Sequence, residues 1–439
     1  MNHVLQPDTQ AILLLCASFG QNRQIEPQPL TLSEYNSLVN WLMEHQMRPG
    51  DLLSVKGKSK LQTIPVKLLD ANRISALLER GMMLSLAVEK WTNQGLWVIG
   101  RSDTQYPKCL KQILKHSAPA ILYGIGNIEL LSQGGLAIVG SRDVDEEGID
   151  YTQRIARTCA EQEIQVVSGG ARGVDSVAML GVLEAGGTAV GVLADSLAKA
   201  AVTGKYRAAI KENRLTLVSP YDPNAGFNVG NAMGRNKYIY ALANWVLVIS
   251  SSLDKGGTWA GVIEALKRIK DVPVFVRIEP NVPEGNRQLL HKGGIPFLPG
   301  SSVRGKLREL LEVAREEIVI KSEVETTLSK VETAISELVD IGIDEKSGNL
   351  SSKDKDKDIP AIPFHPKDIY EAVLPFILRC LEQPLDEKSL AEYLDVQLGQ
   401  MRIWLKKAVE EGKVKKTKNP VAYVINQKGN LLFSMDDSW

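Results

Sequence analysis

The chain has few of the residues that build covalent or metal-centred chemistry. Its 439 residues include four cysteines and five histidines. Cys16, Cys109, Cys159 and Cys380 lie far apart with no CxxC pair, and the histidines are equally scattered. That spacing argues against a disulfide framework and against a cysteine zinc site, so no metal is expected and a reducing cytoplasm fits. GxGxxG and GxxxxGK[ST] are both missing, which leaves a dinucleotide fingerprint and a nucleotide-hydrolysing P-loop unsupported. The longest early apolar run, from Ala11 to Ala17, is too short to span a bilayer and has no basic leader before it. It reads as the first buried helix of a soluble N-terminal domain, and no membrane partner is expected. Nor is there an excess of charge. The 52 basic residues balance 52 acidic ones, so total charge selects no partner, although a local basic patch is enough for nucleic acid.

What is present divides into blocks, and the length suits two to four domains. Residues 1–95 predict a helical N-terminal domain. Leu32 to Met43, Val66 to Arg80 and Met82 to Thr92 carry apolar residues at helical spacing, and no catalytic constellation falls among them. From 96 to 135 short apolar runs alternate with Gly and Pro, as in Trp97–Gly100 and Pro119–Tyr123, predicting a connector of strands. Between 136 and about 315, strand candidates at 136–140, 164–168, 188–193, 215–218, 245–250 and 272–276 alternate with helices. Continuous apolar strands suit a parallel sheet covered on both faces, hence an α/β, Rossmann-like doubly wound, mostly parallel sheet. Residues 96–318 are read as that domain with its connector. Residues 319–362, ending in the alternating charges of Ser351–Asp358, read as a solvated linker. Residues 363–439 predict three helices and a small hairpin through the turn Asn419-Pro420, a winged-helix pattern. Its cations Arg402, Lys406, Lys407, Lys413, Lys415, Lys416 and Lys418 either grip duplex DNA or only solvate a protein–protein module.

Four turns carry the chemistry. Gly140-Ser141-Arg142 follows the first strand of the sheet; Ser168-Gly169-Gly170-Ala171-Arg172-Gly173 follows the second. Each sends a strand into a Gly/Ser/Arg turn before a helix, pointing backbone N–H groups at one spot, which suits phosphate. Gly after a strand can also serve only a tight turn. Asp175 is most simply the N-cap of the next helix or the residue that orders Arg172. Arg235-Asn236-Lys237 places two cations at a third helix start. Lys255-Gly256-Gly257-Thr258 offers a cation and amides at a fourth. Any one basic residue is most simply a solvated surface charge. Four such turns at strand ends on one sheet edge make that a poor joint explanation.

In this order, GSR, SGxARGxD, FNxxNxxxRN and KGGTWAG resemble the DprA (Smf) DNA-processing family, within the Rossmann-like SLOG group. Tyr106-Pro107 and Pro119–Tyr123 look like the segment before that family's sheet. The resemblance runs from about 97 to 300. It implies a cytoplasmic, cofactor-free, non-catalytic protein that binds single-stranded DNA regardless of sequence. It further implies loading of a RecA-type recombinase in transformation, and a homodimer. By motif, Ser141, Arg142, Arg172, Arg235, Lys237 and Lys255 would form the basic DNA pocket. Gly140, Gly169, Gly170, Gly173, Gly256 and Gly257 would let the backbone come close, with Ser168, Asn236 and Thr258 beside them. The chain departs from the pattern at Ala178-Met179, Ser219-Pro220, Lys237 and Lys255, changes that keep positive charge. Two other readings stand beside this one. One is a SLOG-type nucleotide sensor or hydrolase, tied to mobile elements or phage defence, in which Glu264 faces the pocket. The other is a scaffold with a dead pocket.

Overall fold

A computed structural model describes residues 5–19, 27–65, 67, 69–297, 307–315, 369–381, 384–393, 396, 398–417 and 422–426. The proposed linker 319–362, Val66, Lys418 and the turn Asn419-Pro420 lie outside them. Contacts divide the chain into two units, 1–342 and 343–439.

Among the described residues of the first unit, five α-helices come first: α1 (Pro7–Cys16), α2 (Leu32–Glu44), α3 (Val55–Leu61), α4 (Ala71–Leu78) and α5 (Gly81–Asn93). Ile12, Leu13, Leu14 and Leu15 in α1 are all buried, as expected of a helix that is apolar all round. Thr31 and Glu34 open α2 with a reciprocal capping box, which satisfies two amides at its start. The run at 11–17 is therefore a core helix. The α4 segment starts at Ala71, later than its periodicity suggests, and α3 has no counterpart in the sequence reading.

The sheet follows: β1 (Trp97–Gly100), α6 (Lys108–Leu114), β2 (Ile121–Gly126), β3 (Leu136–Gly140), α7 (Glu146–Glu161), β4 (Val166–Ser168), α8 (Val174–Glu184) and β5 (Ala189–Val192). Then come α9 (Leu197–Ala201), α10 (Gly204–Lys211), β6 (Leu215–Ser219), α11 (Val229–Ala241), β7 (Trp245–Ser250), α12 (Gly256–Arg268), β8 (Val274–Arg277), α13 (Glu284–His291) and β9 (Ile295–Phe297), with a last helix, α14, at 307–315. The nine strands lie in the order β1-β2-β6-β5-β4-β3-β7-β8-β9. All neighbours from β6 to β9 pair in parallel, while β1–β2 and β2–β6 are antiparallel. The fold is the α/β, mostly parallel, doubly wound sheet expected from the sequence. The strands of the 96–135 segment extend that sheet at one edge.

Alternation along each strand divides the core. Leu136 and Ile138 of β3 join one buried cluster with α1, α2, α4, α5, α7 and α8, whereas Ala137 and Val139 join another with α6, α11 and α12. The N-terminal helices thus pack on the same sheet face as α7 and α8. Trp91 of α5 meets Tyr123 of β2 edge to face at 4.9 Å.

In the second unit, α15 (Ile369–Cys380), α16 (Glu387–Tyr393) and α17 (Leu398–Glu410) precede an antiparallel hairpin of β10 (Val414–Lys416) and β11 (Tyr423–Ile425). Tyr370, Leu374, Ile377, Leu390, Met401 and Leu405 form its core. Several of its cations already have partners: Arg402 pairs with Glu387, Lys413 with Glu411, and Lys407 lies over the Tyr370 ring.

Candidate nucleic-acid interface

The strand order reverses at β3, with β4 on one side and β7 on the other. In open α/β sheets the crevice beyond the strand ends at such a reversal is where ligands bind. The turns after β3, β4 and β7 meet there.

Backbone contacts lock these turns together. A register shift between Val139 and Gly140 ends the β3–β7 ladder, and the Ser141 N–H then donates to Ser250 O at 2.9 Å. Thr258 Oγ1 donates to Gly140 O and Asn236 Nδ2 donates to Gly257 O, each at 2.9 Å. The start of α12 is so held against both β3 and α11. Gly173, at φ +81°, brings the second turn against the first, and a Cβ there would lie 2.4 Å from Ser141 O. Only glycine allows that approach.

Beneath the turns two opposite charges are buried near each other. Asp175 stands in the first turn of α8, whose N-cap is Gly173. Backbone amides of Ala171, Gly169 and Gly140 lie around its carboxylate and favour its charged form, as does nearby Arg235. Arg235 is 4% exposed, and its Nη1 donates to Gly169 O and Val192 O. Burial raises the Asp175 pKa and lowers that of Arg235, while each charge opposes the other's shift. Asp175 is therefore neither the N-cap nor the partner of Arg172. It lies among amides of two turns with Arg235 nearby, a role that needs the fold to be seen.

Several expected contacts fall elsewhere. Ser168 is fully buried and its hydroxyl donates to Ile138 O at 2.7 Å, so it braces β4 on β3 rather than facing the crevice. Arg235 sits buried in the floor, with its Nη1 bonded to two backbone carbonyls. Lys237 lies outside the cavity lining; its ammonium stacks over Tyr238, and burial lowers its pKa despite the opposing Glu264 carboxylate. Glu264 pairs with Arg268 at 3.1 Å and does not line the cavity either. Arg172 is exposed and holds Asp143 across the first two turns.

The remaining cations converge. Arg142, Lys255, Gly256, Gly257 and Thr258 line a cavity of about 460 Å³ with Phe227. Lys255 is exposed at the N-terminus of the 13-residue α12, where the helix dipole favours an anion. Phe227 is 59% exposed, with Val229 and Met233 also open to solvent, and the Arg142 guanidinium stacks over its ring at 5.4 Å. Phe227 heads the FNxxNxxxRN motif but is given no role from sequence, although an aromatic residue beside cationic turns is a recognisable signal. A second chamber of about 360 Å³ adjoins the first and shares Arg142, Phe227 and Arg235 with it. Among the described residues no group of three metal-ligating side chains occurs, and no helix is long and apolar enough to cross a membrane.

The family model described as DNA recombination-mediator protein A matches residues 97–301. The DNA processing protein DprA of Streptococcus pneumoniae is 30% identical over 204 residues, covering 46% of this chain and 71% of that protein. The chain belongs to the DprA family. Bacillus subtilis DprA is 26% identical over 185 residues, covering 42% of the chain and 61% of that protein. The crystal structure of the pneumococcal DprA superposes with a TM-score of 0.50 at 20% identity, covering 63% of this chain and 93% of that one, which is a likeness of fold. Arg235, Asn236 and Lys237, expected at a helix start, lie in the middle of α11; the family match encloses them, the turns after β3, β4 and β7 and Phe227, and a DprA-type role in DNA processing follows from membership.

Proposed function

We propose that the crevice holds single-stranded DNA by its backbone, irrespective of sequence. In this reading Arg142 and Lys255 neutralise phosphates, the start of α12 presents its amides, and Phe227 stacks a base. The observation that carries it is the exposed Arg142–Phe227 stack at the sheet's reversal point, opposite Lys255. Cations track phosphates and an open aromatic face takes any base. Delivery of the strand to a RecA-type recombinase, a homodimer and cytoplasmic action extend the same proposal from family membership. So does the assignment of the 363–439 segment as a winged helix, with domain boundaries at 95, 318 and 362.

Binding rather than catalysis is also our reading. The amides that would cradle a nucleotide phosphate, those of Gly140, Gly169 and Ala171, already face the Asp175 carboxylate. Glu264, the one carboxylate a hydrolase reading would use, is paired away from the cavity. Both observations disfavour a nucleotide hydrolase.

The test is binding of fluorescent oligo-dT by wild type and by Arg142→Ala/Lys255→Ala across a salt series. Each lost phosphate contact should flatten the log–log slope by about 0.7. The double variant should therefore bind weakly, with a slope shallower by about 1.4. Binding with an unchanged slope would place the strand elsewhere.

A further inference from the structure

The smaller chamber differs in chemistry from its neighbour. Gly169, Gly170, Ala171, Leu193, Ala194, Asp195, Phe227 and Arg172 contribute to its lining. Leu193 and Ala194 give it an apolar wall beyond the end of β5, and the Arg142–Phe227 stack borders both chambers. Asp195 is half-buried and makes no hydrogen bond or ion pair among the described residues. An unpartnered acceptor stands in a chamber whose other charged groups are arginines.

We propose that this chamber takes one base of the bound strand and that Asp195 selects guanine there. The inference rests on the single-strand reading above. An ionised carboxylate only accepts hydrogen bonds, through two oxygens side by side. Guanine alone presents two adjacent donors on its Watson–Crick edge, N1–H and the N2 amino group. Adenine and cytosine set a ring-nitrogen acceptor beside their amino group, and thymine sets two carbonyls around its single N–H. A carboxylate repels each of those acceptors. In a single strand that edge is free to be read. Apolar walls hold the ring, Phe227 separates it from the next base, and Arg142 and Arg172 flank the backbone on either side. At about 360 Å³ the space falls in the range of small-molecule pockets. Sequence tolerance along the strand is retained, with one position biased.

The experiment compares oligo-dT with the same oligomer carrying one central guanine, inosine, adenine or cytosine. Wild type, Asp195→Asn and Asp195→Ala are measured side by side, with GMP as a competitor. A bidentate base contact corresponds to roughly five- to hundredfold tighter binding. Wild type should show that gain for guanine alone, and inosine, which lacks the N2 amino group, should lose most of it. Both variants should bind oligo-dT at least as tightly as wild type while losing the guanine gain. Unchanged oligo-dT binding also shows that the variants are folded. Equal affinity for all bases in wild type, or a guanine gain that survives in Asp195→Asn, overturns the proposal. A weakening of every oligomer alike in the variants overturns it too, because Asp195 then acts on the fold. GMP binding without any guanine effect in the oligomers overturns the assignment to a strand. Failure of every oligomer to bind wild type refutes instead the single-strand reading on which this rests.

Discussion

Asp175→Ala tests the account of the crevice floor. The substitution removes the carboxylate facing Arg235 and the acceptor for the N–H groups of Gly140, Gly169 and Ala171. Arg235, 4% exposed, keeps Gly169 O and Val192 O but loses its counter-charge. Breaking a buried pair from one side costs about 3–5 kcal/mol, since the surviving charge is left uncompensated. For a unit of this size that lowers the melting temperature by on the order of 5–10 °C. Arg235→Met should cost less, because the carboxylate left behind can take up a proton. The sign is fixed by the direction of the shift. Burial already raises the Asp175 pKa, and losing the guanidinium raises it further. Its stability contribution is then present at low pH and lost as pH rises through the folded-state value. Arg235→Met should thus approach wild type as pH falls. The double variant Asp175→Asn/Arg235→Met should be more stable than the sum of the single losses predicts, by about 2 kcal/mol or more. Thermal and urea unfolding of all four proteins between pH 5 and 8 measure this. Additive losses, or an Asp175→Ala cost below about 1 kcal/mol, would falsify the buried-pair account. The same series separates floor from contact surface: folded Arg235→Met should keep the wild-type salt slope for oligo-dT, unlike Arg142→Ala.

Three further outcomes follow from single contacts. Ser168→Ala should cost about 1 kcal/mol, the worth of its bond to Ile138 O, and leave oligo-dT affinity unchanged in a fluorescence titration. Gly173→Ala meets Ser141 O and Arg142 O at φ +81°, so it should lower the melting temperature and weaken oligo-dT binding together as the first two turns separate. The bond from Arg73 holds the Glu34 pKa below its ordinary 4.5, so its contribution is present above that pH and lost as pH falls. With both side chains partly exposed, Glu34→Gln should cost under about 1 kcal/mol at pH 7 and progressively less as the pH is lowered into the acid range, read by urea midpoints.

The sequence by itself determined the sheet and the ring of turns above it. Buried parallel strands must be apolar along their whole length, so 136–140 and 245–250 were legible as strands to the residue. Turns that need Gly beside a cation are equally local, and Arg142, Lys255, Gly256 and Gly257 stand where the motifs put them. What tertiary structure decided is which polar groups remain free. Arg235 and Lys237 are two residues apart on α11, so they lie on different sides of the helix, and the packing of α11 on the sheet buries one beside Asp175 and places the other near Glu264. Ser168 looks like a ligand and Asp175 like a helix cap in their motif, but groups about 30 and 60 residues away in sequence, Ile138 O and Arg235, act on them instead. The pairing of β2 with β6 is likewise invisible in any short window, because β3, β4 and β5 with their helices lie between the two strands in sequence. Local propensity fixes where a cation or carboxylate is placed along an element. Its availability to a ligand depends on long-range burial and on the hydrogen bonds that burial makes obligatory.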